Sequence, residues 1–240
     1  MTLPINPGST LPLNAATGPS IDTTIPAGLT DQALANLPVL RVTKRHKMPN
    51  GVASNVKQHV VYCVDHSTSM SGAKLQELLM ALDGHFLQLA DASNKDGFSV
   101  TIIPFNNSSY VHCAALPANA VPPLNLVAAG GTNFDSPIKK TIAEIESLKA
   151  APNVAGWHWL RPQVLFLSDG QATVSDKNLE DLHEIADVTA IAYGDDADQG
   201  TLARISSRGE VHLVGTDSGA LRGFLAVVGQ TLVSTLQASN

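Results

Sequence analysis

The segment from Val60 to Met70 reads VVYCVDHSTSM, and it indicates how the chain is organised. Its first five residues are mostly apolar, which is typical of a strand that a parallel sheet buries on both faces. Asp65, Ser67 and Ser69 then follow at every second position, where a strand should give way to a loop. Three interpretations fit this alternation: a nucleophile, a metal site, or hydroxyl groups that cap a following helix.

The composition excludes several classes of protein. The chain has 240 residues, of which 44% are hydrophobic and 5% aromatic, so we expect one large aliphatic core. A net charge of −6 argues against a general nucleic-acid binder. The first residues lack the pattern of a signal peptide, and no apolar run approaches the ~20 residues that span a bilayer. We therefore expect a cytoplasmic protein without a membrane segment, in which Cys63 and Cys113 are buried thiols.

The chain divides into two parts by composition. Residues 1–50 begin with a stretch rich in Pro, Thr, Gly and Ala, which predicts a flexible or surface-draped arm with a candidate extra edge strand. Residues 51–240 alternate between apolar strand-like runs and segments of helical period, and no linker interrupts them. We predict that these residues form one domain.

The order of the predicted elements indicates the fold class. Strands and helices alternate, and one hairpin interrupts the alternation, so we predict an α/β fold with a doubly wound, mostly parallel six-stranded sheet. One antiparallel edge strand completes this sheet, and helices cover both of its faces. The predicted strands lie at 60–64, 98–106, 110–116, 163–169, 188–194 and 210–214, and the predicted helices at 74–90, 137–149, 179–185, 202–205 and 221–236.

Polar side chains cluster where the predicted strands end or where a helix begins. Asp65, Ser67 and Ser69 follow the first strand, Asp169 follows the fourth, and Thr132 precedes a helix after two glycines. Ligands collect beyond the carboxyl ends of the strands in an open α/β sheet. All five side chains offer only oxygen, which suits Mg²⁺, Ca²⁺ or Mn²⁺ better than zinc.

The three segments DHSTSM, GGTNF and FLSDG resemble the metal-ion-dependent adhesion site of von Willebrand factor A-type (VWA) domains. The resemblance covers about residues 58–237. It implies that Ser67, Ser69 and Thr132 bind a cation directly, while Asp65 and Asp169 act through bound waters. It also implies an open coordination position that an Asp or Glu of a partner protein fills. The family more often has Thr at the position of Ser168.

The resemblance implies a divalent-cation-dependent protein–protein interaction module rather than an enzyme. We expect Mg²⁺ as the cation, with Ca²⁺ or Mn²⁺ as alternatives, and a stand-alone intracellular bacterial protein of the tellurite-resistance type. Two other functions remain: a metal-dependent hydrolase or phosphatase, and a scaffold subunit with a vestigial metal site. Catalysis is disfavoured because no G-x-S-x-G motif surrounds Ser67 or Ser69, and position 67 lacks a second carboxylate.

Overall fold

A computed structural model of the protein describes residues 56–151, 156–194, 196–215 and 219–239. The predicted N-terminal arm, residues 1–50, and its candidate edge strand lie outside these residues. The described residues form one mixed sheet with helices on both faces, so the predicted fold class is confirmed.

The sheet contains seven strands among the described residues. Its order is β3-β2-β1-β5-β6-β7, and β4 pairs with the start of β1. All neighbouring strands are parallel except β2 and β3, which form the predicted antiparallel edge. The strands are β1 (Val56–Asp65), β2 (Phe98–Phe105), β3 (Cys113–Pro117), β4 (His158–Trp159), β5 (Gln163–Ser168), β6 (Asp187–Tyr193) and β7 (Val211–Val214).

Five α-helices of the described chain cover the sheet, and they bury two separate apolar clusters. Val60, Tyr62 and Val64 of β1 face the cluster that includes α1 and α5, whereas Val61 and Cys63 face the cluster that includes α2, α3 and α4. Both faces of β1 are therefore buried, which explains its nearly continuous apolar sequence. The helices are α1 (Ala73–Leu89), α2 (Asp135–Ala150), α3 (Asp176–Ile185), α4 (Gln199–Ile205) and α5 (Ala220–Ser239).

The strand β4 was not predicted from the sequence. His158 and Trp159 pair in parallel with Val56 and Lys57. Lys57 also places its ammonium group 4.1 Å from the centre of the Trp157 ring. A strand of two residues is too short to show a period of two, which explains why the sequence pattern missed it.

The strand order places the candidate site at the point where the sheet changes direction. From β1 the chain first builds β2 and β3 on one side, and it then crosses to build β5, β6 and β7 on the other. Asp65 is the last residue of β1, and Ser168 is the last residue of β5. The carboxyl ends of these adjacent strands flank the switch point, where open α/β sheets bind ligands. None of the described helices is both long and apolar enough to span a membrane.

Candidate metal centre

Asp65 is held rigidly at the end of β1. Its side chain is fully buried; Oδ1 accepts a hydrogen bond from the backbone N–H of Ser67 (2.7 Å), and Oδ2 accepts one from Oγ of Ser168 (2.5 Å). The N–H of Gly170 in turn donates to Oγ of Ser168 (2.9 Å). Burial raises the pKa of Asp65; the hydrogen bonds from Ser168 and Ser67 oppose this rise, and the nearby charge of Asp169 adds to it.

Ser67 and Ser69 stand on a single turn of 3₁₀ helix between β1 and α1. Met70, the last residue of this turn, is fully buried, and its N–H donates to the carbonyl of Ser67 (3.0 Å). The hydroxyl oxygens of Ser67 and Ser69 lie 3.0 Å apart, and Ser69 donates to Oδ1 of Asp169 (2.7 Å). The tight turn therefore places two neighbouring hydroxyl groups next to a carboxylate from a distant part of the chain.

Thr132 joins this group through a close approach to Gly170. A Cβ atom at Gly170 would lie 2.6 Å from Oγ1 of Thr132 and 3.2 Å from Oδ2 of Asp65. The threonine hydroxyl and the buried carboxylate therefore border the same small space, which only glycine leaves open at position 170. The N–H and hydroxyl of Thr68 both donate to the carbonyl of Gly130 (3.0 and 2.9 Å), which fixes the loop of Thr132 beside the 3₁₀ turn.

The structure thus brings together all five side chains that the sequence predicted: Asp65, Ser67, Ser69, Thr132 and Asp169. The network connects the ends of β1 and β5 with the loop before α2. That these residues bind a cation remains a prediction. The alternative in which the hydroxyl groups cap α1 finds no support among the described contacts, since the helix's N-cap, Gly72, has no side chain and makes no capping bond.

Lys74, which the sequence analysis missed, also lies at this site. Its ammonium group donates to Oδ2 of Asp169 (2.7 Å) and to Oδ1 of Asp196 (3.2 Å). The side chain of Asp169 is fully buried, whereas that of Lys74 is 22% exposed. Burial lowers the pKa of Lys74, but the hydrogen bonds and charges of the two aspartates outweigh this and raise it overall. The sequence signal that could have identified Lys74 is its position in the first turn of α1, shortly after Ser67 and Ser69.

The donor groups fit a hard divalent cation. Two carboxylates and three hydroxyls are oxygen donors of the kind that Mg²⁺ and Ca²⁺ prefer. Asp169 already presents an oxygen to a cation, the ammonium group of Lys74. Within the described part of the chain, no group of three or more His, Cys, Asp or Glu side chains could hold a metal. Cation binding here would therefore depend on the hydroxyl groups of Ser67, Ser69 and Thr132.

His66 lies beside the site, directly before Ser67 in the chain. Its Nδ1–H donates to the carbonyl of Val127 (3.0 Å), and its ring meets that of Tyr110 edge to face at 6.4 Å. No hydrogen bond among the described residues joins the ring of His66 to Ser67 or Ser69. His66, Tyr110 and Val127 form a partly exposed rim next to the site.

Comparisons with known proteins show the fold. No family model and no curated protein matches the chain. A von Willebrand factor type A structure from Catenulispora acidiphila is 15% identical, with a TM-score of 0.58 over 74% of this chain and 43% of that chain. The proximal thread matrix protein 1 from the mussel byssus, with a zinc-occupied MIDAS motif, is 16% identical, with a TM-score of 0.56 over 75% of this chain and 49% of that one.

A third similar structure is the vWF domain of the type V pili tip protein Mfa5 from Porphyromonas gingivalis. It is 10% identical, with a TM-score of 0.56, and the match covers 77% of this chain and 98% of that domain. The chain spans less than half the length of the first two structures. The chain therefore has the von Willebrand factor A-type fold, as the resemblance of its three segments predicted.

Proposed function

We propose that the chain is a divalent-cation-dependent protein–protein interaction module. The observation that carries this proposal is the convergence at Gly170, where Thr132 and Asp65 border one space next to the hydrogen-bonded Ser67, Ser69 and Asp169. Five oxygen-bearing side chains from three separate segments meet there, although two of them, Asp65 and Asp169, are costly to bury. A bound cation would offset that cost.

In this proposal, the hydroxyl groups of Ser67, Ser69 and Thr132 hold the cation, and Asp65 and Asp169 orient the water molecules around it. The bound cation supplies a positively charged centre that attracts an anionic oxygen. Because the direct ligands are neutral, an Asp or Glu of a partner protein is the ligand that best completes the coordination. The hydrogen bonds from Ser67 and Ser168 keep Asp65 in one orientation before any cation binds.

Some of the similar structures support this kind of function. The mussel protein has a zinc-occupied MIDAS motif. Another similar structure is the pilus adhesin SpaC from Lactobacillus rhamnosus GG, with 11% identity and a TM-score of 0.61 over 75% of this chain and 30% of that chain. For this chain we propose Mg²⁺, because near-octahedral coordination by oxygen at about 2.0–2.1 Å suits a tight loop with one open position.

We further propose that the protein acts in the bacterial cytoplasm and without catalysis. The free, buried thiols of Cys63 and Cys113 suit a reducing compartment. The absence of a G-x-S-x-G motif around Ser67 and Ser69 supports a non-catalytic role. A screen of phosphoester and acyl substrates with Mg²⁺ and Mn²⁺ should show no turnover above that of a Ser67→Ala control. Turnover that this substitution removes would instead favour the hydrolase.

Calorimetric titration tests the cation site directly. Mg²⁺ is added to EDTA-stripped wild type, to the double variant Asp65→Ala/Ser67→Ala, and to Ser71→Ala. Ser71 is a matched control because it continues the same alternation, is exposed, and is not among the predicted ligands. We expect the wild type and Ser71→Ala to bind one cation each and the double variant to bind none. Unchanged affinity in the double variant would refute the site.

The partner's acidic group needs a separate experiment. Proteins captured from the native cell by the wild type in Mg²⁺ but not in EDTA are identified by mass spectrometry. Each exposed Asp or Glu of the main captured protein is then replaced by Asn or Gln. We expect a single such replacement to abolish capture. Capture that is equal in Mg²⁺ and EDTA would favour the scaffold with a vestigial site.

A further inference from the structure

The ammonium group of Lys74 is at the candidate metal centre, yet the proposed coordination does not use it. It lies 2.7 Å from Oδ2 of Asp169. The other carboxylate oxygen, Oδ1, accepts a hydrogen bond from the hydroxyl group of Ser69. One carboxylate is therefore shared between the metal-binding hydroxyls and a permanent cation of the chain. This sharing suggests a role for Lys74 in setting how strongly the centre holds a metal ion.

Several segments fix the position of Lys74. Lys74 is the second residue of α1. Asp196, in the loop after β6, accepts a second hydrogen bond from its ammonium group (3.2 Å). Gly194, with a φ of +100°, allows the backbone of that loop to approach closely. A Cβ atom at Gly194 would lie 3.2 Å from the ammonium nitrogen. The ammonium group is thus held between the loops that follow β5 and β6, rather than left free in solvent.

The charges of the centre show what this placement does. Asp65 and Asp169 are both buried and supply two negative charges, and Lys74 cancels one of them. A divalent cation would then leave the loaded centre with a net charge of +1, whereas without Lys74 it would be neutral. Asp196 changes this balance less, because its side chain is 66% exposed and solvent screens its charge.

We propose that Lys74 is a built-in counter-cation: it lowers the affinity of the centre for a divalent metal ion and leaves the loaded centre positively charged toward an acidic partner. This inference rests on the proposed function, in which the centre binds such an ion. Repulsion between Lys74 and the metal ion would weaken binding. The excess positive charge would strengthen the attraction for a carboxylate of the partner.

A purely structural role for Lys74 predicts the opposite result. If the lysine only braces Asp169 in the correct orientation, its removal should loosen the carboxylate and weaken metal binding. If it acts as a counter-cation, its removal should strengthen metal binding. The sign of the change in metal affinity therefore separates the two roles.

The test compares Mg²⁺ binding by calorimetry in the EDTA-stripped wild type and in four variants. Lys74→Met removes the charge and the hydrogen bonds, Lys74→Gln removes the charge but keeps an N–H donor, and Lys74→Arg keeps the charge. Lys177→Met on α3 is the matched control, because it removes an equal charge from an exposed lysine that forms no ion pair with the centre among the described residues. Circular dichroism and thermal unfolding confirm that each variant is folded.

We expect Lys74→Met and Lys74→Gln to bind Mg²⁺ about 5- to 10-fold more tightly than the wild type, given a partly screened charge at short range. Lys74→Arg and Lys177→Met should stay within about twofold of the wild type. In Mg²⁺-saturated protein, acetate should bind more weakly to Lys74→Gln than to the wild type, as followed by NMR chemical shifts. If Lys74→Met does not fold, Lys74→Gln carries the comparison.

The outcomes distinguish this inference from the proposed function. If the wild type binds Mg²⁺ and both neutral variants bind it equally or more weakly, the counter-cation role is wrong while the metal site stands. If the wild type and all variants fail to bind Mg²⁺, the proposed function fails and the inference fails with it. Binding by the neutral variants alone would overturn the proposed function, in which the wild type binds Mg²⁺ with Lys74 in place.

Discussion

The two ends of the central sheet differ in how completely their buried polar side chains are hydrogen-bonded among the described residues. At the carboxyl end, Asp65 and Ser168 are fully buried and hydrogen-bonded to each other and to neighbouring backbone. At the amino end, Gln58 and His59 of β1 and Ser99 of β2 are also buried. Each of them, however, has one polar atom without a hydrogen-bond partner in the part of the chain that the structure describes.

The difference shows which polar groups stabilise the fold and which cost stability. Leaving a buried donor or acceptor unpaired costs about 1–3 kcal/mol, whereas a paired group recovers that cost. His59 and Ser99 are cross-strand neighbours. The Nε2 atom of His59 bonds the hydroxyl of Thr101 (2.9 Å), and its Nδ1 atom has no partner within residues 56–239 as far as the structure describes them. The carboxyl end thus has a pre-formed polar network suited to a ligand, whereas the amino end has polar atoms without a partner among the described residues, and such atoms reduce stability.

The largest expected effect is the pH dependence that His59 produces. Burial lowers its pKa from 6.5 to about 4, so the unfolded chain takes up a proton first as the pH falls. The stability of the folded state should therefore decrease between pH 6.5 and 4, by up to about 3 kcal/mol from this residue. Urea unfolding at pH 7 and pH 4 should show a smaller loss in His59→Leu than in the wild type.

His85 is the internal reference for this experiment, because its pKa is also lowered to about 4 by burial. Its two ring nitrogens bond the hydroxyl of Tyr62 (2.7 Å) and the carbonyl of Leu225 (2.9 Å). At pH 7, His85→Leu should destabilise the protein by about 1–3 kcal/mol because it leaves both partners unpaired. His59→Leu should cost less than that. If the stability of His59→Leu depended on pH as strongly as that of the wild type, His59 would not be the source of the pH dependence.

A matched pair of serines tests the comparison next. Ser168→Ala removes a hydrogen bond to the buried carboxylate of Asp65 and one from the N–H of Gly170, so it should destabilise the fold by about 1.5–3 kcal/mol. Ser99→Ala removes a hydroxyl without a partner in the described residues, so it should leave stability unchanged or raise it. Chemical denaturation measures both values. Similar losses in the two variants would remove the contrast between the two ends.

Substitution of Asp65 should affect cation binding. Asp65→Asn keeps the shape of the side chain but places an amide N–H₂ against the donors Ser67 N–H or Ser168 Oγ–H. We expect Mg²⁺ affinity to fall about 10- to 100-fold, as for other groups that act through a metal's ligands. Calorimetry at constant ionic strength gives the value, with Ser71→Ala as the control. A dissociation constant equal to that of the wild type would exclude Asp65 from the centre.

Substitutions of two glycines test the close approach of Thr132 to Gly170. Gly170→Ala places a methyl group 2.6 Å from the hydroxyl of Thr132, so it should destabilise the protein by about 1–3 kcal/mol and displace that hydroxyl. Gly84→Ala in α1 meets nothing within 4 Å and should stabilise the protein by about 0.5–1 kcal/mol. Thermal unfolding measures both variants. A harmless Gly170→Ala would contradict the close approach of Thr132.

Much of the fold could be predicted from the sequence because a buried parallel strand leaves a strong pattern. The run before Asp65 is apolar at nearly every position, since both faces of β1 are covered by helices. The five oxygen-bearing residues were also predictable as a group, because they stand at strand and helix boundaries that meet at the switch point.

Other features depend on contacts that no local pattern shows. Lys74 meets Asp169 and Asp196, which lie 95 and 122 residues further along the chain. The role of Ser168 is similar, because its partner Asp65 is 103 residues away. Ser168 supplies the hydroxyl group that this contact needs. The burial of His59, which lowers its pKa, depends on what packs around the ring, and sequence alone does not specify this packing.

The most direct test of the central claim is an anomalous difference map from a crystal of the protein grown in Mn²⁺. Mn²⁺ prefers the same oxygen ligands as Mg²⁺, and its anomalous scattering locates it without prior assumptions. We predict one strong peak in contact with the hydroxyl oxygens of Ser67, Ser69 and Thr132, with Asp65 and Asp169 around it. A map without a peak there, in which Lys74 alone still pairs with Asp169, would contradict the metal-dependent function.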